Sequence, residues 1–428
     1  MLKKLLAPWA IALIIVLSIG LACAQERKYL ADDPRESAAI YLSHIQQVAG
    51  MQPNLFPLTQ SREQAAKMAI GTALQVADAQ FGRIESAEKN RFIEGLAAEF
   101  LKQYDKVLER MPTPYSEWFT LWLIGDRAQD IELATGDLGY KASMPPILIG
   151  DVPTVCVNAF AVRVPESPQR LVLVQSGMVN SMWHAMNLFV ASIGIDTGGT
   201  PDVAFETVRD KISRRSIAPH FTNALGVAIG QIPNPVLQTT SYQVELVGDL
   251  HRGATLFVLA HEYAHIILKH TEANTRSFSL KMAAQPGATA STTIDVVTAA
   301  KSREQELAAD RLGLELLVRA SRLAPYTASR VDTVAWAPEV YFAWLELFDA
   351  LASQFTNQPA PDYSRIDHPS PAERLKEVSE HRARMDLKAP SLDGFRKAWR
   401  QRLSVMDNHI FKRLYGDYLK KYKLADCN

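Results

Sequence analysis

Cysteine is nearly absent. Three occur in 428 residues, and Cys23 lies inside an N-terminal apolar stretch, so Cys156 and Cys427 leave room for one disulfide at most. Net charge is also absent: 46 basic side chains balance 46 acidic ones, no basic stripe stands out, and nucleic acid is not an expected partner. Beyond the N-terminus no apolar run is long and clean enough to span a bilayer, which excludes a polytopic membrane enzyme. No N-x-S/T acceptor occurs, which fits a bacterial periplasm better than an endoplasmic reticulum. No period of 34 or 40 residues is present, so helical repeats are not expected. With 47% hydrophobic and 21% charged residues the chain is globular, and its length allows two or three structural units.

Residues 1–24 have the pattern of a targeting segment. Lys3 and Lys4 precede the apolar stretch Leu5 to Leu21, and Ala22-Cys23-Ala24 offers small residues for cleavage before Gln25. Two alternatives stay open: a retained membrane anchor, or lipidation at Cys23, for which Gly20-Leu21-Ala22 is a poor match. All three put the folded part outside the cytoplasm, and membrane contact is expected only if the segment is retained or lipidated. In an oxidising compartment Cys156 and Cys427 form a disulfide or stay as two buried thiols.

The chemistry is concentrated in His261-Glu262-Tyr263-Ala264-His265, inside an apolar run from Ala254 to Leu268 that reads as a buried helix. Residues four apart share a helix face, so the two imidazoles converge. Two neutral imidazoles suit zinc and leave positions for a third ligand and a water. Glu262 then lies beside the metal, placed to take a proton from that water. Leaving such groups buried and unpaired would cost roughly 2–7 kcal/mol each.

Glu306-Leu307-Ala308-Ala309-Asp310 supplies what the first motif lacks. Ser302 and Gln305 form a capping-box pattern that starts a helix at Arg303 and puts Glu306 and Asp310 on one face. Glu306 can be the third ligand, and Asp310 can accept the N–H of a ligating imidazole. A solvated acidic face, with Arg303, Glu304 and Arg311 nearby, is the plainer reading, and the first motif outweighs it. One zinc ion per chain is expected.

The fold class expected is α+β, mostly helical, with a small β-hairpin or sheet. After residues 1–24, residues 25–145 read as a helical region, with Ser37–Val48, Arg62–Phe81 and Ala87–Arg110 showing helical spacing. Residues 146–322 form the core, with an insertion at 178–250, and residues 323–428 form a helical region that completes the site. In the core, Thr154 to Val164 and Leu171 to Val174 flank a Pro165–Pro168 turn as a hairpin. Asn158, Ala159, Phe160 and Ala161 lie in its first strand, which either takes an extended peptide as an added strand or is a plain core strand. Met178, Met182 and Met186 read as core filling. Gln285–Thr293 is either a loop over the site or a surface connection.

His261-Glu262-x-x-His265 combined with Glu306-x-x-Ala309-Asp310 resembles the gluzincin metallopeptidases, and most of all the family of the CAAX prenyl protease, HtpX and the BepA-like proteases. Asn158–Ala161 with Ser176-Gly177, Asp310-Arg311-Leu312-Gly313, and His368-Pro369 with Arg374 resemble further elements of that family. The resemblance implies a zincin-like catalytic core with His261, His265 and Glu306 on zinc and Glu262 as catalytic base. It also implies that His368 and Arg374 lie near the site, stabilising an oxyanion or holding the cleft closed; a loop histidine packed on Pro369 is the alternative for His368. The 83 residues between Gly177 and His261 exceed the short helix usual in the family, and its multi-span membrane architecture is absent. The function expected is a zinc endopeptidase of the envelope acting on peptide or protein substrates, with unfolded or misassembled proteins foremost. The alternatives are a metal-containing chaperone or binding protein, and a zinc hydrolase of a non-peptide amide.

Overall fold

Apolar residues at helical spacing fold most of the described residues into helices, packed beside one small sheet. The computed structural model describes residues 34–48, 66–109 with short gaps before 85, 118–152, 158–192, 241–272, 275–281, 293–299, 302–356 apart from 325, and 369–400 apart from 398–399. Several expectations lie outside these residues: the leader at 1–24, the Cys156–Cys427 pair, residues 193–240 of the insertion, residues 285–292 of the loop, and His368.

In chain order the elements are α1 (Pro34–Val48), α2 (Ala87–Glu109), α3 (Trp118–Asp137), β1 (Ile147–Val152), β2 (Ala159–Arg163), β3 (Arg170–Gln175), α4 (Ser176–Ser192), α5 (Ser241–Ile267), β4 (Thr275–Lys281), β5 (Thr293–Ala299), α6 (Arg303–Leu323), α7 (Ala328–Thr356) and α8 (Pro371–Arg384). The fold is α+β and mostly helical, as expected. Helix α5 is its axis. From Gly253 to Ile266 every residue except Val258 is buried, the signature of a helix surrounded by protein on all sides. Helices α3, α4, α6 and α7 and strands β2 and β3 surround it. A Cβ at Gly253 would stand 2.4 Å from the Val334 carbonyl, so α5 and α7 cross there almost backbone to backbone.

The sheet has the order β1-β3-β2-β5-β4. Strands β2 and β3 form the expected antiparallel hairpin, from Ala159↔Val174 to Arg163↔Arg170. Strand β1 adds parallel to β3, and the β4–β5 antiparallel pair joins β2 through Val162↔Thr298. Every residue of β3 is buried, because both faces are covered. Ala159, Ala161, Val172 and Val174 face the helical core. Val162, Leu171 and Leu173 pack beneath Ala38, Tyr41, Leu42 and Ile45 of α1. Each large side chain so buried contributes roughly 1.5–3 kcal/mol.

Three features differ from the sequence reading. The described ends of the 178–250 insertion are core helix: Met178, Met182 and Met186 are buried in α4, and residues 241–250 are the first turns of α5. The loop read up to Thr293 ends where strand β5 begins. Strand β2 is flanked by β3 along one side and meets β5 on the other at Val162, a neighbour that the sequence did not suggest. Among the described residues no helix is long and apolar enough to cross a membrane.

Candidate metal centre

The site is built where α5 and α6 touch. On α5, the four-residue spacing stacks His261 and His265, with ring centroids 4.6 Å apart and their Nε2 atoms 3.0 Å apart. On α6, the capping box expected at Ser302 is present: its hydroxyl accepts from the Gln305 N–H, and the Gln305 side chain accepts from the Ser302 N–H. That start sets the register that turns Glu306 and Asp310 toward α5. Gly313, one turn further, allows the approach, because a Cβ there would lie 3.1 Å from both N and Cα of His261.

Glu306 meets both imidazoles, Oε2 at 3.4 Å from His261 Nε2 and Oε1 at 3.3 Å from His265 Nε2. One ligand atom from each of the three residues falls within 4.8 Å of the others, and all three are buried. Asp310 Oδ1 lies 2.8 Å from His261 Nδ1. Arg374 on α8 clamps Asp310 with two contacts, Nε to Oδ2 at 2.8 Å and a terminal nitrogen to Oδ1 at 2.6 Å, and its guanidinium lies over the Phe342 ring, 4.5 Å from the centroid. Arg374 also comes within 3.3 Å of His261 Nδ1. Guanidinium only donates, and the carboxylate is both nearer and negative, so Nδ1 keeps its proton and donates to Asp310. That tautomer turns the Nε2 lone pair of His261 into the pocket.

The electrostatics favour a cation. Burial, the largest single influence, raises the Asp310 carboxyl, but the charge and hydrogen bonds of Arg374 together with those of His261 outweigh it and hold the carboxyl below the usual carboxylate range. Burial and Arg374 push His261 down, yet Asp310 and Glu306 push it up by more, so the pocket prefers positive charge at this point. Two imidazole nitrogens and a carboxylate, all buried and converging, are a zinc-type donor set. The residues therefore fit the metal that the sequence suggested.

Glu262 is anchored from the sheet. It is buried, and its Oε2 accepts the Ala161 N–H at 2.7 Å. Because the Gln175 N–H donates to the Asn158 carbonyl, alternation along β2 turns the Ala161 amide away from β3, toward α5. The Asn158–Ala161 segment thus meets the site through a backbone amide bound to Glu262. Sequence reasoning missed one neighbour: His270, just past the end of α5, has Nδ1 2.9 Å from His265 Nδ1. Its signal was present as a third histidine five residues after His265, but five is not a same-face helical spacing.

No curated protein and no solved structure is significantly similar to the chain. The family model of Peptidase U49 matches residues 229–391, under half of the 428 residues, and this span contains His261, Glu262, His265, Glu306, Asp310 and Arg374. That similarity supports a peptidase, a hydrolase of peptide bonds.

Proposed function

We propose that the chain is a zinc-dependent endopeptidase of the cell envelope acting on unfolded or misassembled proteins. The observation that carries this reading is the buried convergence of His261, His265 and Glu306 beside Glu262. These three side chains would hold the ion, an order of ligands that agrees with the gluzincin resemblance. Zinc bound there supplies Lewis acidity, polarising a scissile carbonyl and lowering the pKa of a water. Glu262 is the base, taking the proton of the attacking water and returning it to the leaving amine. The Ala161 N–H fixes the orientation of its carboxylate. Asp310, backed by Arg374, fixes the tautomer of His261. The resemblance supports His368 as the oxyanion donor.

The burial of the ligands supports an extended substrate, because a folded surface cannot reach residues at 0–5% exposure. The Lys3–Lys4 and Leu5–Leu21 pattern supports export. The test is an assay of the purified chain on a protein substrate in folded and in reduced, unfolded form, with and without chelator. The unfolded form is cleaved, chelator abolishes cleavage and added zinc restores it. Glu262→Gln keeps the metal and lowers the rate by about 10²–10⁴-fold. Cleavage that survives both chelation and Glu262→Gln contradicts the proposal.

A further inference from the structure

The turn that ends α5 brings a further histidine against the metal pocket. His270 N–H donates to the His265 carbonyl at 2.9 Å, and Lys269 N–H donates to the Ile266 carbonyl at 3.1 Å. This is the paired closure of a helix end in which the residue between is left-handed, here Lys269 at φ 58°. Such a closure folds the second residue past the helix back over the last turn, where an apolar contact is usual. Here the two residues so paired are His270 and His265. Their ring centroids lie 5.1 Å apart, and the Nδ1 atoms are within hydrogen-bond distance. The turn is fastened from β3 as well: buried Thr271 accepts from Arg170 Nε at 3.4 Å, and Arg170 faces Glu272 at 3.8 Å.

We propose that His270 is a positioning residue for the metal ligand His265, accepting its Nδ1–H and so committing its Nε2 to the cation. The inference rests on the metal-peptidase reading. Two facing Nδ1 atoms share one proton, and an imidazole that gives its Nε2 lone pair to a cation carries that proton on Nδ1. His270 is then the acceptor, with its own proton on Nε2. Outer partners of this kind hold ring orientation and raise ligand basicity. The two ligands are oriented by different chemistry, His261 by a carboxylate and His265 by a neutral ring. A neutral acceptor adds no further anion to a pocket that already contains Glu262, Glu306 and Asp310.

The test uses the full chain and chelator competition for zinc. His270→Ala weakens zinc by about 10–100-fold and alters the visible absorption of the cobalt-substituted protein. His270→Asn, whose amide oxygen can accept the same proton, recovers most of the affinity. The metal-free melting temperature of His270→Ala matches that of the metal-free wild type, which separates positioning from loss of fold. If His270→Ala does not fold, His270→Asn decides, and a loss of about 10-fold or more overturns the proposal. Unchanged zinc affinity and cobalt spectrum in His270→Ala, with His261→Ala unable to bind, overturn the role of His270 while leaving the metal reading intact. A wild-type chain that takes up no metal overturns both.

Discussion

His261 shows how much of the site depends on the orientation of single rings. Its Nδ1 faces Asp310 at 2.8 Å, and Asp310 in turn is held by Arg374. Asp310→Asn removes the charge that fixes this tautomer and leaves Arg374 without its carboxylate. Metal affinity is expected to fall by about 10–100-fold with no ligand lost, read by competition against a chromogenic chelator; unchanged affinity would return Asp310 to a purely structural role. The convergence of His261, His265 and Glu306 was legible in the sequence, because same-face spacing and a capping box are local signals. The contact of His270 was not, because it depends on how the helix ends rather than on how it repeats. The Glu262–Ala161 hydrogen bond joins residues from two distant segments and depends on strand register, which no local pattern fixes.

At the level of elements, the centre is a contact between two helices, and Gly313 sets how close they come. Gly313→Ala places a methyl group 3.1 Å from the backbone of His261, and overpacking of this kind destabilises by roughly 1–3 kcal/mol. It should also pull Glu306 away from the histidines. Denaturant unfolding and zinc titration of this variant are expected to fall together; a variant with wild-type stability and affinity would show that α6 can shift without disturbing the site. Helices α1, α2 and α6 were readable from periodicity and capping. Strands β1, β4 and β5 were not read, though Thr275–Lys281 and Thr293–Ala299 do contain alternating residues. Short alternating segments pair only through tertiary register, and the Ala- and Gly-rich stretch between these two looked like a loop. The same limit hid the meeting of β2 with β5.

At the scale of the whole molecule, the metal would connect segments far apart in sequence. Helix α5, α6 and, through Asp310, α8 meet at one point, while β2 reaches it through Glu262. A ligand that binds only the folded state stabilises it by mass action, about 4 kcal/mol at a free concentration a thousandfold above its Kd. Chelation is therefore expected to lower the melting temperature of the wild type and leave that of His261→Ala unmoved. A wild type that melts at the same temperature with and without chelator would mean that the ion contributes nothing to the fold.

The central claim is that His261, His265 and Glu306 form one zinc centre. Elemental analysis of the purified chain after exhaustive dialysis tests it most directly, with the double variant His261→Ala, Glu306→Ala alongside. The account predicts about one zinc per wild-type chain and none in the double variant. A wild type without zinc after supplementation, or a double variant that keeps its full content, would contradict it.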